Sequence, residues 1–267
     1  MRPTHAAAVL AVAALVLSAA PAAAQIDYRN LDDGRPVHTE DAYPIERYAF
    51  ELLAPVRLEA LPGGLDNTIV APEVEYGTFM NGQVGLSLPF ARVHAPGASD
   101  FGLAGLRLHA FYNFNTESRS LPAFALRADL ALPVGALAGD VARLTVKGIA
   151  TRSWGLTRAH LNAAWSFGSE NGLAQAEAAP RWSGSLAVDR TLFRQSLLLV
   201  VEGLAEQEVR GGPTIATLAA GTRWQWTPAD VLDLGLSRRL TSSGPDFEIT
   251  VGLSHAFALR GLLPAGR

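Results

Sequence analysis

The stretch LRLHAFYNF, residues 106–114, alternates apolar and polar side chains. A period of two residues indicates a β-strand whose two faces meet different surroundings. In a soluble sheet the polar face would point to solvent, whereas the rest of this chain favours apolar side chains toward lipid and polar ones toward an enclosed lumen. The apolar positions are Leu106, Leu108, Ala110, Tyr112 and Phe114, and the polar ones include Arg107, His109 and Asn113.

The same alternation recurs along the chain. With the opening stretch as the fourth, about twelve segments approach the roughly ten-residue length that a tilted membrane strand requires. The eighth and ninth are less regular, since Leu198 and Val200 interrupt the polar face. The other eleven segments are residues 50–58, 70–76, 84–90, 124–132, 143–147, 159–167, 182–188, 197–203, 216–226, 232–236 and 247–253.

The connections between these segments differ in length. Short ones, FMNGQ (79–83), GLTR (155–158) and TPAD (227–230), follow even-numbered segments, and the longer ARVHAPGASDF (91–101) and GSENGLAQAEAAP (168–180) follow odd-numbered ones. Outer-membrane barrels have short periplasmic turns, longer outer loops and an even number of strands. The connections therefore favour a barrel with both termini in the periplasm.

Aromatic residues collect at the two ends of the predicted strands, as in the interfacial girdles of membrane barrels. Together these patterns predict an all-β protein, a transmembrane antiparallel up-and-down β-barrel of about twelve strands in contact with outer-membrane lipid. The aromatic residues are Tyr112, Phe114, Phe124, Trp224 and Trp226 at the periplasmic ends, and Phe90, Trp165, Phe167, Trp182 and Phe247 at the outer ends.

Composition excludes several classes of protein. The 267 residues are 49% hydrophobic and 18% charged with a formal net charge of −3, which fits neither a disordered chain nor a nucleic-acid binder. The chain has no cysteine, which excludes a disulfide framework, a thiolate zinc site and a cysteine nucleophile. No internal stretch approaches the roughly 18 consecutive apolar residues of a membrane helix.

Residues 1–24 have the pattern of a secretory signal peptide. Arg2 is followed by the apolar run AAAVLAVAALVL (6–17) and by Ala22-Ala23-Ala24 as a cleavage site. A membrane anchor is the weaker alternative, because the apolar run is short and ends near Pro21. We therefore expect an exported protein that begins at Gln25 and resides in the outer membrane of a Gram-negative bacterium.

Residues 25–46, called the leader below, are rich in carboxylates and contain Pro36 and Pro44. Such a segment buries little apolar surface, so two alternatives are open: a disordered periplasmic tether, or a plug whose carboxylates meet a basic lumen wall. The barrel is predicted over residues 47–257 and a C-terminal tail over 258–267. The leader carboxylates are Asp27, Asp32, Asp33, Glu40, Asp41 and Glu46.

The predicted inward positions carry charges of both signs on different parts of the wall. A twelve-stranded lumen lies between filled and open barrels, so a narrow or a plugged pore is expected. Two interpretations are open: a transverse field that orients solutes, or ion pairs that fill the lumen. The lumen-lining candidates are Glu51, Glu59, Glu73, Glu75 and Glu248 on an acidic wall, Arg107, Arg127, Arg143, Lys147 and Arg158 on a basic wall, and the histidines His109 and His160.

Catalysis is not expected. No GxSxG, HExxH or P-loop motif occurs, and His109 and His160 belong to the fourth and seventh strands, too far apart to share a site. The prediction is therefore a non-enzymatic protein without catalytic residues, metal or cofactor.

Five stretches carry a resemblance to a known family: NLDDGRPVHTEDAYPIERYAFEL (30–52), ALRADLALPVG (125–135), KGIATRS (147–153), AVDRT (187–191) and SRRLT (237–241). Over most of the mature chain the sequence resembles bacterial outer-membrane, transporter-like barrels labelled for the meta-pathway of phenol degradation. The resemblance implies a channel or transporter for small solutes, with hydrophobic or aromatic cargo if the label reflects it. It carries over no catalytic residue.

Many barrels end on an aromatic residue that aids assembly, and Phe257 fits as such a signal to the outer-membrane assembly machinery. The sequence thus predicts a weakly selective outer-membrane channel. The alternative is a structural outer-membrane barrel with a charge-filled lumen that transports nothing, and a soluble exported β-sandwich is a more distant third.

Overall fold

The computed structural model describes residues 21–22, 25–168 and 180–263, so most of the predicted signal peptide, part of the connection after the seventh strand and the last four residues lie outside the described residues. Among the described residues, no helix is long and apolar enough to cross a membrane. The elements are β1 (Pro21–Ala22), β2 (Ala49–Leu53), β3 (Val56–Leu61), β4 (Leu65–Val70), β5 (Glu73–Phe79), β6 (Gly82–Ser87), β7 (Phe90–Ala95), β8 (Ala98–Leu103), β9 (Leu106–Asn113), β10 (Ala123–Leu132), β11 (Arg143–Trp154), β12 (Thr157–Phe167), β13 (Arg181–Leu192), α1 (Phe193–Ser196), β14 (Leu197–Glu208), β15 (Ile215–Thr227), β16 (Asp230–Arg239), β17 (Phe247–Leu259) and a 3-10 turn (Arg260–Leu262).

Strands β2 to β17 form one closed antiparallel barrel of twelve strands, and the predicted fold class is confirmed. The first four barrel strands each consist of two consecutive segments, from β2 with β3 to β8 with β9, and β10 to β17 supply the other eight. Closure comes from β17, which pairs with β16 on one side and with β2 and β3 on the other. A closed sheet leaves no unpaired edge, as a lipid environment requires.

Prolines interrupt the first three barrel strands at related positions, Pro55, Pro72 and Pro89. Proline has no N–H to donate to the sheet ladder, so the strand breaks there. Pairing then resumes across the breaks, because the N–H of Ala71 donates to the Pro55 carbonyl at 3.1 Å and that of Leu88 to the Pro72 carbonyl at 3.0 Å.

The outward face of the barrel is apolar. Leu186, Leu218 and Leu234 are 58%, 56% and 51% exposed, whereas the inward Arg223 and Asp233 are completely buried. This is the reverse of a soluble sheet and is what a lipid-facing wall requires. The opening stretch follows the same rule, with Tyr112 outward and exposed and Asn113 inward and buried.

The ten predicted girdle aromatics all have exposed side chains. We call the end with the connections at residues 80–81, 155–156 and 228–229 the turn end, and the opposite end the loop end. Trp224 and Trp226 contact each other near the turn end at 6.3 Å between ring centroids. Trp165 faces Trp182 across the ladder near the loop end, so aromatic residues border the apolar wall on both sides.

The predicted relation between turn length and strand number is wrong at three connections. The first and third barrel strands end in tight turns, since Gly63, Gly64 and Gly97 take positive φ. As a result β3 pairs with β4, and β7 with β8, up to the ends of the strands. Much of ARVHAPGASDF, predicted as a loop, is therefore strand. Conversely, residues 114–122 form a longer connection after the fourth strand.

Candidate functional site in the barrel lumen

The leader lies inside the barrel. The N–H of Ile26 donates to the Pro228 carbonyl at the turn end, and the chain returns to that end where the N–H of Ile45 donates to Gln83 Oε1 of β6 at 2.7 Å. Between these points it forms a U-shaped segment, whose two limbs meet where the N–H of Asp41 donates to the Leu31 carbonyl. Leu31, Thr39 and Asp41 are at most 1% exposed. The leader therefore fills the middle of the lumen.

Acidic side chains of the leader lie against the basic wall predicted from the sequence. These pairs join the leader to the fifth, sixth and seventh barrel strands, and five of the six groups are buried, while the side chain of Asp33 is 42% exposed. The distances are 2.5 Å from Lys147 Nζ to Asp33 Oδ1, 2.8 Å from Arg127 to Glu40 Oε1 and 2.9 Å from Arg158 to Asp41 Oδ2.

Basic side chains of the leader lie against carboxylates on the opposite part of the wall. Arg35 is 3.2 Å from Asp233 of β16 and donates to Ser254 Oγ of β17 at 2.6 Å. His38 lies 3.5 Å from Glu248 of β17. The leader thus presents each sign of charge to the wall of the opposite sign.

The charges around the leader decide its protonation. Burial lowers the pKa of His38, but the hydrogen bond to Glu248 and the charges of Glu248 and Glu202 outweigh burial and raise this pKa to about 9. Burial raises the pKa of Asp33, but Lys147 and Arg127 outweigh it, so the pKa lies below its usual range. His38 is therefore a cation and Asp33 an anion at neutral pH.

The structure places all twelve lumen-lining candidates on the inward face, and their role in a pore stays a prediction. His109 lies between Glu73 and Glu75, whereas His160 contacts Thr151 and Asp189. The two histidines therefore belong to separate clusters. Among the other acidic candidates, Glu51 is buried opposite Glu75, Glu59 pairs with Arg57 at 2.9 Å, and Glu248 pairs with His38. Three basic candidates, Arg127, Lys147 and Arg158, bind the leader. The remaining two, Arg107 and Arg143, line a cavity at the loop end.

Ion pairs within the wall join residues of the same strand or of strands at most two apart. Arg158 is 2.5 Å from Asp189, and Arg223 is 3.0 Å from Asp233. The contacts that reach across the lumen pass through the leader. The interpretation as cross-lumen ion pairs therefore needs a correction, because the leader supplies the partners that the opposite wall was expected to supply.

Sequence reasoning missed several residues that hold the leader. Wall amides and hydroxyls bond its backbone: Asn162 and the main chain of Glu40 exchange two hydrogen bonds at 2.8 and 2.9 Å, and Thr151 accepts from the N–H of Ala42 at 2.9 Å. The sequence signal that could have identified them is their position in the two-residue alternation, which places their side chains on the inward face. Other missed wall partners include Gln83, Asn113, Ser185, Glu202, Arg223 and Asp233.

Contact with the leader explains the irregular alternation of the ninth strand. Leu198 and Val200 point inward, are at most 2% exposed and belong to a cluster that contains Ile26 and Leu31 of the leader. Apolar wall residues are needed where the leader presents apolar side chains. The interruption of the polar face thus marks a contact surface for the leader.

Two inward glycines make room for Pro36 of the leader. Gly221 of β15 and Gly235 of β16 face each other across the ladder. A Cβ at Gly235 would lie 1.9 Å from the Pro36 carbonyl oxygen, and one at Gly221 would lie 2.7 Å from Pro36 Cβ. Only a residue without a side chain allows this approach.

Cavities lie on both sides of the leader. One of about 620 Å³ opens toward the turn end, with Gln25, Asp27, Tyr43 and Phe50 among its lining residues. One of about 200 Å³ lies toward the loop end and includes His38 in its lining. The leader separates these two spaces.

Comparison with known proteins identifies the architecture. No family model matches the sequence, and no curated protein sequence is significantly similar to it. Among solved structures, an outer membrane channel from Pseudomonas putida F1 superposes with a TM-score of 0.64 at 14% identity, covering 85% of this chain and 100% of that one. The fold is that of an outer-membrane β-barrel.

The NanC porin is a second similar structure, with a TM-score of 0.53 at 7% identity, covering 77% of this chain and 98% of that chain. At these identities the likeness concerns the fold alone. It supports the barrel that the family resemblance implied, while the label for phenol degradation is carried by neither structure and stays a prediction.

Proposed function

We propose that this protein is an outer-membrane channel for small solutes that its own leader closes, and that it opens when the leader leaves the lumen. The observation that carries the proposal is the double charge match, in which leader carboxylates pair with Arg127, Lys147 and Arg158 while leader Arg35 pairs with Asp233. The leader enters and leaves at the turn end, so it can withdraw without threading through the barrel.

The alternative is a structural barrel with a permanently filled lumen. Such a barrel would be filled by side chains of its own wall, as eight-stranded barrels are. Here the filling is a separate segment that precedes the first strand, and cavities lie on both sides of it. These two features favour a closed channel.

The apolar outer wall between two aromatic borders supports an outer-membrane location, and residues 1–24 fit an export signal. The lumen favours polar or charged solutes, since an acidic wall and a basic wall face each other once the leader is absent. Passage of hydrophobic or aromatic compounds rests on the family label alone.

Single-channel conductance in planar bilayers tests the proposal. The mature chain is compared with a chain that lacks residues 25–44. We expect few or brief openings in the first and sustained openings in the second, because the deletion removes the segment that fills the lumen. Silence in both would contradict a channel and support the structural barrel.

A single substitution provides a second test of the proposed channel and leaves every charge of the leader and the wall unchanged. Gly235→Ala places a Cβ against the Pro36 carbonyl, so the leader cannot seat and openings should increase at least tenfold. Gly203→Ala is the matched control, because a Cβ there meets nothing within 4 Å. Equal conductance in both variants would show that the seat of Pro36 does not close the pore.

A further inference from the structure

A buried histidine and carboxylate cluster lies in the lumen beside the leader. Glu73 and Glu75 of β5 and His109 of β9 point inward, with ligand atoms that all lie within 4.8 Å of one another. His109 Nδ1 is 3.0 Å from Glu73 Oε1, and His109 Nε2 is 3.1 Å from Glu75 Oε1. In the described parts of the chain this is the one group of three or more such residues with this spacing.

A fourth carboxylate adjoins the cluster. Glu51 of β2 is the ladder partner of Glu75 and is 3% exposed. Its Oε1 has no hydrogen-bond partner, and the same holds for Glu75 Oε2. Buried polar atoms without partners are costly, so these two atoms point to a missing ligand.

The sheet is shaped to bring the imidazole to the carboxylates. Gly85 of β6 lies between Glu75 and His109 in the ladder. A Cβ at Gly85 would lie 2.1 Å from the imidazole carbon Cε1 of His109. The missing side chain lets the ring lie over β6 and reach β5.

The surrounding charge is negative. Glu75 interacts electrostatically with Glu51, Glu73 and Asp32. The nearby cations are already engaged: Arg35 and Arg223 by Asp32 and Asp233, and Arg127 by Glu40 and Asp129. One imidazole does not balance three buried carboxylates. An additional bound cation would balance their negative charge.

We propose that Glu73, Glu75 and His109 bind a divalent first-row transition metal ion such as Zn²⁺ in the lumen, beside the buried carboxylate of Glu51. Ligands about 2.1 Å from a metal lie about 3.0 to 3.4 Å apart, for angles from square to tetrahedral. The ion would bind one imidazole nitrogen together with one oxygen each of Glu73 and Glu75, since one ligand atom of each of the three residues lies within 4.8 Å of the other two. Imidazole favours Zn²⁺ and its neighbours over the oxygen-preferring Ca²⁺ and Mg²⁺.

This proposal departs from the expectation of no metal, which followed from the absence of cysteine and of an HExxH motif. The ligands come from two strand segments, β5 and β9, and no short motif contains them. It is independent of the proposed channel, since the cluster requires only the folded barrel.

Zinc binding to the untagged mature protein in detergent tests the site. After removal of metals with a chelator, Zn²⁺ is added and bound metal is measured by atomic emission and by competition with a chromophoric chelator. We expect one Zn²⁺ per chain and a rise in the unfolding temperature, with weaker or no response to Ca²⁺. Absence of zinc binding, or preference for Ca²⁺, would overturn the assignment.

Variants locate the ion. His109→Gln and Glu75→Gln remove ligands, and Gly85→Ala displaces the ring while keeping every ligand, so each should weaken zinc affinity at least tenfold. Glu59→Gln and His255→Gln are controls outside the cluster, and heat-modifiable electrophoretic mobility verifies folding. Unchanged affinity in folded Gly85→Ala and His109→Gln protein would refute the site.

Discussion

His38 shows how one residue links the leader to the wall. Its imidazole faces Glu248 of the last strand and lines the cavity at the loop end. Because the pKa of His38 is raised to about 9, above its unfolded value near 6.5, protonation and seating of the leader favour each other. The stabilisation is complete below about pH 6.5 and is lost as the pH rises through about 9.

The first prediction concerns this titration. Between pH 7 and pH 10 the mature protein should open more often, since the neutral imidazole loses its ion pair with Glu248. A partly exposed pair contributes about 1 kcal/mol, which corresponds to a roughly fivefold change in the ratio of open to closed channel. Single-channel recordings across this range measure it.

His38→Gln is the control for that experiment. The variant should be more open than the native protein at pH 7 and should respond less to the rise in pH. An identical pH response in both proteins would assign the titration to another group.

At the scale of the element, the leader is held mainly by polar contacts. Buried ion pairs lose much of their attraction to desolvation, so they specify a position more than they stabilise it. Breaking one pair from a single side is nevertheless costly, about 3 to 5 kcal/mol, because an unpaired buried charge remains. A segment held in this way stays in place until it moves as a unit.

The second prediction concerns a disulfide that would fix the leader inside the barrel. Thr39 Oγ1 of the leader donates to Ser185 Oγ of β13 at 2.7 Å, so the pair Thr39→Cys with Ser185→Cys is placed to form a disulfide. The chain has no native cysteine to interfere. Oxidised protein should be silent in bilayers, and a reductant should restore its openings.

Each single cysteine variant is the control and should not respond to oxidant. If the cross-linked protein, verified by mass, conducted as well as its reduced form, the pore would not require departure of the leader.

At the scale of the whole molecule, the barrel separates its inward charges. Arg127, Lys147 and Arg158 lie on the fifth to seventh strands, whereas Glu51 and Glu75 lie on the first and second. Inside the barrel the leader neutralises much of this separation. In its absence we expect the two walls to produce a field across the lumen.

The third prediction tests this field in the chain that lacks residues 25–44. Replacement of both Arg143 and Lys147 by Gln should shift the reversal potential in a salt gradient toward cation selectivity, since the basic wall repels cations. Arg92→Gln, an exposed change outside the lumen, should leave the potential unchanged. Unaltered ion selectivity in the double variant would contradict the hypothesis of a field across the lumen.

Local periodicity determined a large part of this fold. The side chains of neighbouring residues alternate between faces wherever a strand forms, so Leu108 and His109 could be assigned to lipid and lumen without knowledge of their partners. The number of barrel strands followed from counting such segments. The tips at β3–β4 and β7–β8 were missed because Pro and Gly near residues 62–64 and 96–97 indicate loops.

Only the tertiary structure decided what fills the lumen. The sequence left the leader as either a tether or a plug, and nothing local predicts that Pro36 lies against Gly235 or that Glu51, Glu75 and His109 meet. Such contacts join residues far apart in sequence and arise only when the barrel closes in one register, because a shift by one residue would turn each inward side chain to the other face.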